Sequence, residues 1–233
     1  MPSPYTPGYS SFLSNLEEVK LLRKMASDKE RLDPIGLREE INVLCRGAIV
    51  LLCSHLEAYI KNLGERALDS LHSKRIPRTK LVPNFYYHIS KNFIEEIKDT
   101  TDNPTIADKV FEFLGSDYDF WSRTGPFPQP IPSERFNKGF STPTHDKTRA
   151  YFNRFGYLSY NGDLARILKA DYATITNMVD HLVATRNAIA HGDPTATKTP
   201  AEVKDMAAMI QKYCSKTDNV FAAWWGAHFC AIR

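Results

Sequence analysis

The stretch Arg186-Asn187-Ala188-Ile189-Ala190-His191 holds three side chains whose types could do chemistry together. Arg offers a planar fork of donors that fits phosphate oxygens, and it stays charged. His moves a proton near neutral pH. A place in the last turn of a helix favours its protonated form, because the helix C-terminus is the negative end. Asn can orient an imidazole or a phosphate oxygen. Asn187 and His191 stand four apart, so on a helix they share one face. The combination makes a workable phosphate site. No carboxylate cluster and no pair of histidines at ligand spacing lies beside it, so the chemistry calls for no metal and no cofactor.

The spacing alone is a weak signal. The chain has 14 Arg and 7 His, which gives about 1.3 chance matches for an Arg followed by His at four to six intervening residues. Arg66 and His72 make one such match. It has no polar residue after the Arg and no stop at its end, and it reads as the outer face of a long helix. Context separates the first match from the second. The stripe Ile175, Met178, Val179, Leu182, Val183, Ile189 and Ala190 is interrupted by Arg186. A buried or half-buried guanidinium costs free energy unless it is paired, and breaks in a consistent pattern tend to be functional sites. Gly192-Asp193-Pro194 then closes the helix, with Gly after the last turn and Pro two residues on. His55, His88, His145, His181 and His228 lack such context and read as core or surface residues.

The elements that must position these groups follow from length and pattern. With 233 residues and 42% hydrophobic content, the chain suits one domain with an insertion and is too apolar to be disordered. The longest apolar run, 48–53, is far short of the ~20 residues that span a bilayer. The start, Met1-Pro2-Ser3-Pro4-Tyr5, has no basic and apolar pattern of a secretory signal. The four cysteines Cys45, Cys53, Cys214 and Cys230 form no CxxC pair, which predicts reduced thiols in a cytoplasmic protein rather than a zinc site. A net charge of +3 and a pI of about 8.6 permit a nucleic-acid partner without arguing for one.

Residues 1–12 carry three prolines and read as a loose arm. Leu13, Leu16, Val19, Leu22 and Met25 predict a first helix that ends at Pro34. Asp33 and Pro34 predict the cap and first residue of a second helix, 34–72. Its stripe runs from Ile41, Cys45, Ala48, Leu52 and Leu56 to Tyr59, Ile60, Leu63, Ala67 and Leu71, the spine of the domain. Helices are predicted at 85–98 and 106–114. Five prolines at 126, 128, 130, 132 and 143 make 123–143 a long loop insertion. It interleaves Phe127, Phe136 and Phe140 with Arg135 and Lys138, which could stack on bases and contact phosphates; the alternative, which the mild composition favours, is a loop packed on the domain surface. Helices at 142–155, 163–170 and 172–191 follow. The last helix opens with the capping box Thr199-Pro200-Ala201-Glu202 and carries Val203, Met206, Ala207, Ile210, Tyr213 and Cys214. No strand-like alternation occurs. The prediction is an all-α antiparallel bundle around the long second helix.

On the long helix, Arg46-Gly47-Ala48-Ile49-Val50-Leu51-Leu52-Cys53-Ser54-His55-Leu56-Glu57-Ala58-Tyr59-Ile60 places one Glu in an apolar setting. Together with Arg186, Asn187 and His191, it resembles the HEPN superfamily, and most the prokaryotic branch of RiboL-PSP-type domains. The likeness covers 37–72 and 144–215. It implies a HEPN-like helical domain over 13–233 that forms a homodimer. It implies a metal-independent endoribonuclease whose two motifs meet in one cleft across the dimer, with no cofactor and no membrane. Arg186, Asn187 and His191 would be its catalytic residues and Glu57 a supporting one. Arg135 and Lys138 lie in the Pro-rich loop, outside the likeness, and are candidate substrate contacts on their residue types alone. The family's members often act as toxins or antiviral effectors paired with an antitoxin or sensor. Some lack activity, so the alternative is a non-catalytic dimer module that binds RNA, a nucleotide or a partner protein. A plain helical scaffold is a third class.

Overall fold

The computed structural model describes residues 5–122 and 124–232. Residues 1–4 of the expected arm, Arg123 at the start of the expected loop, and Arg233 lie outside the described residues. Among the described residues there are ten α-helices, two short 3₁₀ turns and no strand.

Of the expected arm, residues 7–12 are helix. α1 is Pro7–Leu32. Thr6 is its N-cap, its hydroxyl accepting from the Tyr9 N–H, and Pro7 takes the first position, where its missing N–H costs nothing. Thr6 is itself buried, and its N–H donates to Asp218 Oδ2 at 2.9 Å across 212 residues. A tertiary tie therefore fixes a segment whose composition looked loose. The buried face of α1 carries Phe12, Leu16, Val19 and Ala26, while Met25 is exposed. A strict step of three drifts by about 60° per step on a helix of 3.6 residues per turn, so the face alternates threes and fours instead.

α2, Arg38–Ser73, begins four residues later than Asp33-Pro34 suggested. Asp33 caps the intervening turn: its carboxylate accepts from the N–H groups of Ile35 at 3.1 Å and Gly36 at 2.8 Å. The 36-residue helix is about 54 Å long. By length and composition it could cross a membrane, but Ile41, Cys45, Ala48, Ile49, Leu52, Cys53, Leu56 and further residues down to Leu71 are buried in the protein core. It packs on α1, α9 and α10, whose bounds are Pro7–Leu32, Tyr172–Ala190 and Pro200–His228.

The predicted helix at 85–98 is broken at Ser90 into α3, Pro83–Ile89, and α4, Lys91–Lys98. Ser90 is buried; its hydroxyl donates to Asp117 and accepts from Trp121 Nε1 at 2.8 Å. α5 runs longer than predicted, Asn103–Trp121, capped by Asp102. The Pro-rich stretch does form a core element, contrary to expectation. It holds the short α6, Ser133–Asn137, and buries Phe127, Ile131, Phe136 and Phe140. Prolines forbid long helices there but leave the side chains free to point inward. The three Phe rings are therefore not available to stack on bases. α7, His145–Asn153, is capped by Thr144, three residues later than the predicted start. α8 is Tyr160–Leu168. α10 carries the predicted capping box with both hydrogen bonds made, and its stripe from Val203 to Cys214 is buried. The class is all-α, a bundle around the long second helix.

Candidate functional site

α9 buries Ile175, Val179, Leu182 and Val183. At its C-terminal end the pattern changes: Arg186 and Asn187 are half-buried and His191 is exposed. Arg186 reaches across to α2, where its guanidinium lies against the thiol of Cys53. Burial pushes the Cys53 thiol pKa up, the Arg186 contact pulls it down, and the charge of Glu57 raises it. Among the described residues no carboxylate lies within ion-pair distance of Arg186. A half-buried cation without a counter-ion is costly for a protein to keep and suits an anion brought from outside.

Glu57 stands one turn beyond Cys53 on α2. Its carboxylate pairs with Lys61 at 2.6 Å and accepts from the Thr142 N–H at 3.3 Å. Thr142 has φ +52°, a conformation that non-glycine residues rarely adopt. Glu57 thus holds the backbone at the entry to α7 and lies close enough to Cys53 to act on it, while Arg186 meets the thiol.

The turn that carries His191 is tightly fixed. His191 is the C-cap of α9, and Gly192 follows at φ +80°. The Gly192 N–H donates to the Ile189 carbonyl at 3.1 Å and the Asp193 N–H to the Ala188 carbonyl at 3.0 Å. These two bonds are a Schellman motif, which requires the left-handed residue that glycine supplies. Arg46 of α2 then donates from Nη1 to the Asp193 carbonyl at 3.1 Å. The Asp193 carboxyl is held below its ordinary range by hydrogen bonds from the Thr195 hydroxyl and N–H, with a smaller contribution from Arg46. The side chains of Asn187 and His191 have no hydrogen-bond partner among the described residues, so their polar atoms are open to a ligand. Arg46 was missed by sequence reasoning: its partner is 147 residues away, and nothing in its local spacing reports that.

The remaining expected site residues sit elsewhere. Arg135 of α6 donates from Nη1 to both carboxylate oxygens of the fully buried Asp117 at 2.8 Å and to the Ile89 carbonyl at 3.1 Å. It also lies over the Phe120 ring. Lys138 is exposed and lines a cavity with Glu95, Glu96 and Asp99, a local field of the wrong sign for a phosphate. Arg66, of the chance match, donates to Asn62 Oδ1 at 2.9 Å on its own helix. His145 is buried, with its ring nitrogens 3.2 Å from the Tyr213 hydroxyl and 3.0 Å from that of Tyr172. Burial lowers its pKa. Among the described residues no group of three His, Cys, Asp or Glu side chains could share a metal ion.

The family model RiboL-PSP-HEPN matches residues 13–223. No curated protein and no solved structure matches the chain.

Proposed function

The chain belongs to the RiboL-PSP-HEPN family, and on that premise we propose that it is a metal-independent endoribonuclease acting as a homodimer in the cytoplasm. In a cell it serves as a toxin or antiviral effector, under the control of an antitoxin or sensor protein. The observation that carries this reading is the half-buried Arg186, with no carboxylate partner among the described residues, five residues before an exposed His191 on a braced helix end. Such a set can meet a phosphodiester directly.

The reaction is attack of a ribose 2′-OH on the adjacent phosphorus. The bond from O2′ to phosphorus forms, the bond to O5′ breaks, and a 2′,3′-cyclic phosphate is left. The nucleophile belongs to the substrate, so no metal is needed to generate it. His191 of one subunit takes the 2′-OH proton, and the second copy's His191 returns a proton to the leaving O5′. Arg186 from both copies stabilises the charge that builds on the phosphate oxygens. Asn187 orients the imidazole or a phosphate oxygen. Pairing two copies supplies the second histidine that one chain lacks.

The test is RNA cleavage by the purified protein and by His191→Ala, with and without EDTA. Cleavage by the wild type in EDTA, lost in the variant and absent on RNA with a 2′-deoxy scissile position, is the expected result. Cleavage of the 2′-deoxy substrate would exclude the mechanism. RNA binding without cleavage in either protein would make the chain a binding module.

A further inference from the structure

α5 stands apart from the rest of the bundle: of its nineteen residues only Asp117 and Phe120 are buried. Its outer face carries Phe111, Leu114 and Tyr118, exposed by 80%, 51% and 70%. Their spacing of three and four puts them in one row. Beside that row Asp108, Glu112 and Asp119 recur at steps of four and seven, all exposed, and none makes an ion pair with a described residue. Charge is uneven along the chain. Residues 91–121 hold three lysines and eight carboxylates, a net −5, in a protein that is +3 overall. α4 and α5 therefore form an acidic arm with an apolar stripe on a basic body.

Rows of exposed aromatics rimmed by charge mark association surfaces. The sign of the rim selects the occupant. RNA and anionic lipid are repelled by it. A second copy docked by a twofold axis would set each acidic row against its mate, and like charges across an interface cost affinity. We propose that the outer face of α5 docks a partner protein through an amphipathic segment whose apolar residues cover Phe111, Leu114 and Tyr118 and whose Lys or Arg residues meet Asp108, Glu112 and Asp119. Pairing of two helices along an apolar seam flanked by charges uses this arrangement. The surface stands independently of the ribonuclease reading, because none of its residues belongs to the α9 site.

The test uses the full chain and a fluorescein-labelled amphipathic helix built of Leu and Lys, with a Leu and Glu peptide as control. Anisotropy should show binding of the Lys peptide that weakens as NaCl is raised. Affinity should fall by about tenfold or more in Phe111→Ser/Tyr118→Ser and in Asp108→Lys/Glu112→Lys. Circular dichroism checks both folds; the charge variant alters only exposed carboxylates and remains decisive if the aromatic variant unfolds. The proposal is overturned if the wild type does not bind the Lys peptide, if the Glu peptide binds as well, or if both variants bind unchanged. It is also overturned if the wild type sediments as a dimer that Phe111→Ser/Tyr118→Ser converts to monomer, since the face would then belong to a second copy.

Discussion

Arg135 and Arg186 are both half-buried, and they live in opposite surroundings. Arg135 has a buried carboxylate at 2.8 Å, a backbone carbonyl and an aromatic face. Arg186 has the Cys53 thiol and, among the described residues, no carboxylate within ion-pair distance. The first guanidinium balances a charge the fold has already buried. The second has no such buried carboxylate to balance among the described residues, which is what the proposed phosphate contact requires. Residue type and burial class are the same in both cases, so the counter-ion is the feature that distinguishes them.

That contrast breaks most sharply on activity. Arg186→Ala and His191→Ala should each lower RNA cleavage by about 10²–10⁴-fold. Arg186→Ala should change unfolding free energy by about 1 kcal/mol or less, the scale of one net side-chain contact. A large loss of stability in urea titration would show that Arg186 is structural after all. Arg135→Ala should do the reverse. It strands the Asp117 carboxylate in the interior and should cost about 3–5 kcal/mol, with cleavage retained well below the melting temperature. Asp117→Asn on that background should restore part of the loss; no recovery would mean that the Phe120 contact, not the charge, is what matters.

Histidines sharpen the comparison at smaller scale. Burial first, then the charges of Arg154 and Lys91, lower His88 to about 4, and burial lowers His145. The unfolded chain takes up these protons at an ordinary value near 6.5, so stability is fully present above that pH. It should fall as the pH drops from 6.5 towards 4, by roughly 1–2 kcal/mol after allowing for the partial exposure of His88. Thermal melts across that range read it, and a flat profile would contradict the buried settings of both rings. Comparable in size is Gly192→Ala. A Cβ there meets nothing within 4 Å, so the cost is backbone strain alone, about 1–2 kcal/mol. Cleavage should drop further than stability, because the strained residue adjoins His191; equal activity would mean that the turn does not position the imidazole.

The elements that pattern reveals are those with long, one-sided contact. The α2 stripe, the α10 stripe and the Thr199 to Glu202 capping box are legible because their partners lie within a few residues or along one face. The end of α9 is legible for the same local reason, as Gly192 marks its stop. What local pattern cannot show is contact across sequence. Thr6 and Pro7 do carry a cap-and-proline signal, but surrounding prolines and glycines mask it, and the Asp218 partner is 212 residues off. The inward turn of Phe127, Ile131, Phe136 and Phe140 follows no period, because an irregular segment has none. Within the candidate site, the types and spacing of Arg186, Asn187 and His191 can be read directly. The missing counter-ion of one and the bracing of the others by Arg46 cannot.

The bond from Arg46 to Asp193 closes a loop of 147 residues, and that sets an order of events. α1 and α2 are joined by a five-residue turn and pack on each other, so they can form a hairpin as soon as both have left the ribosome. Long closures lose more chain entropy and come later. α9 begins long after α2 has ended, so the cation and imidazole meet their support on α2 only after that hairpin can have formed. A nascent chain can thus be a folded hairpin long before the end of α9 is braced against it.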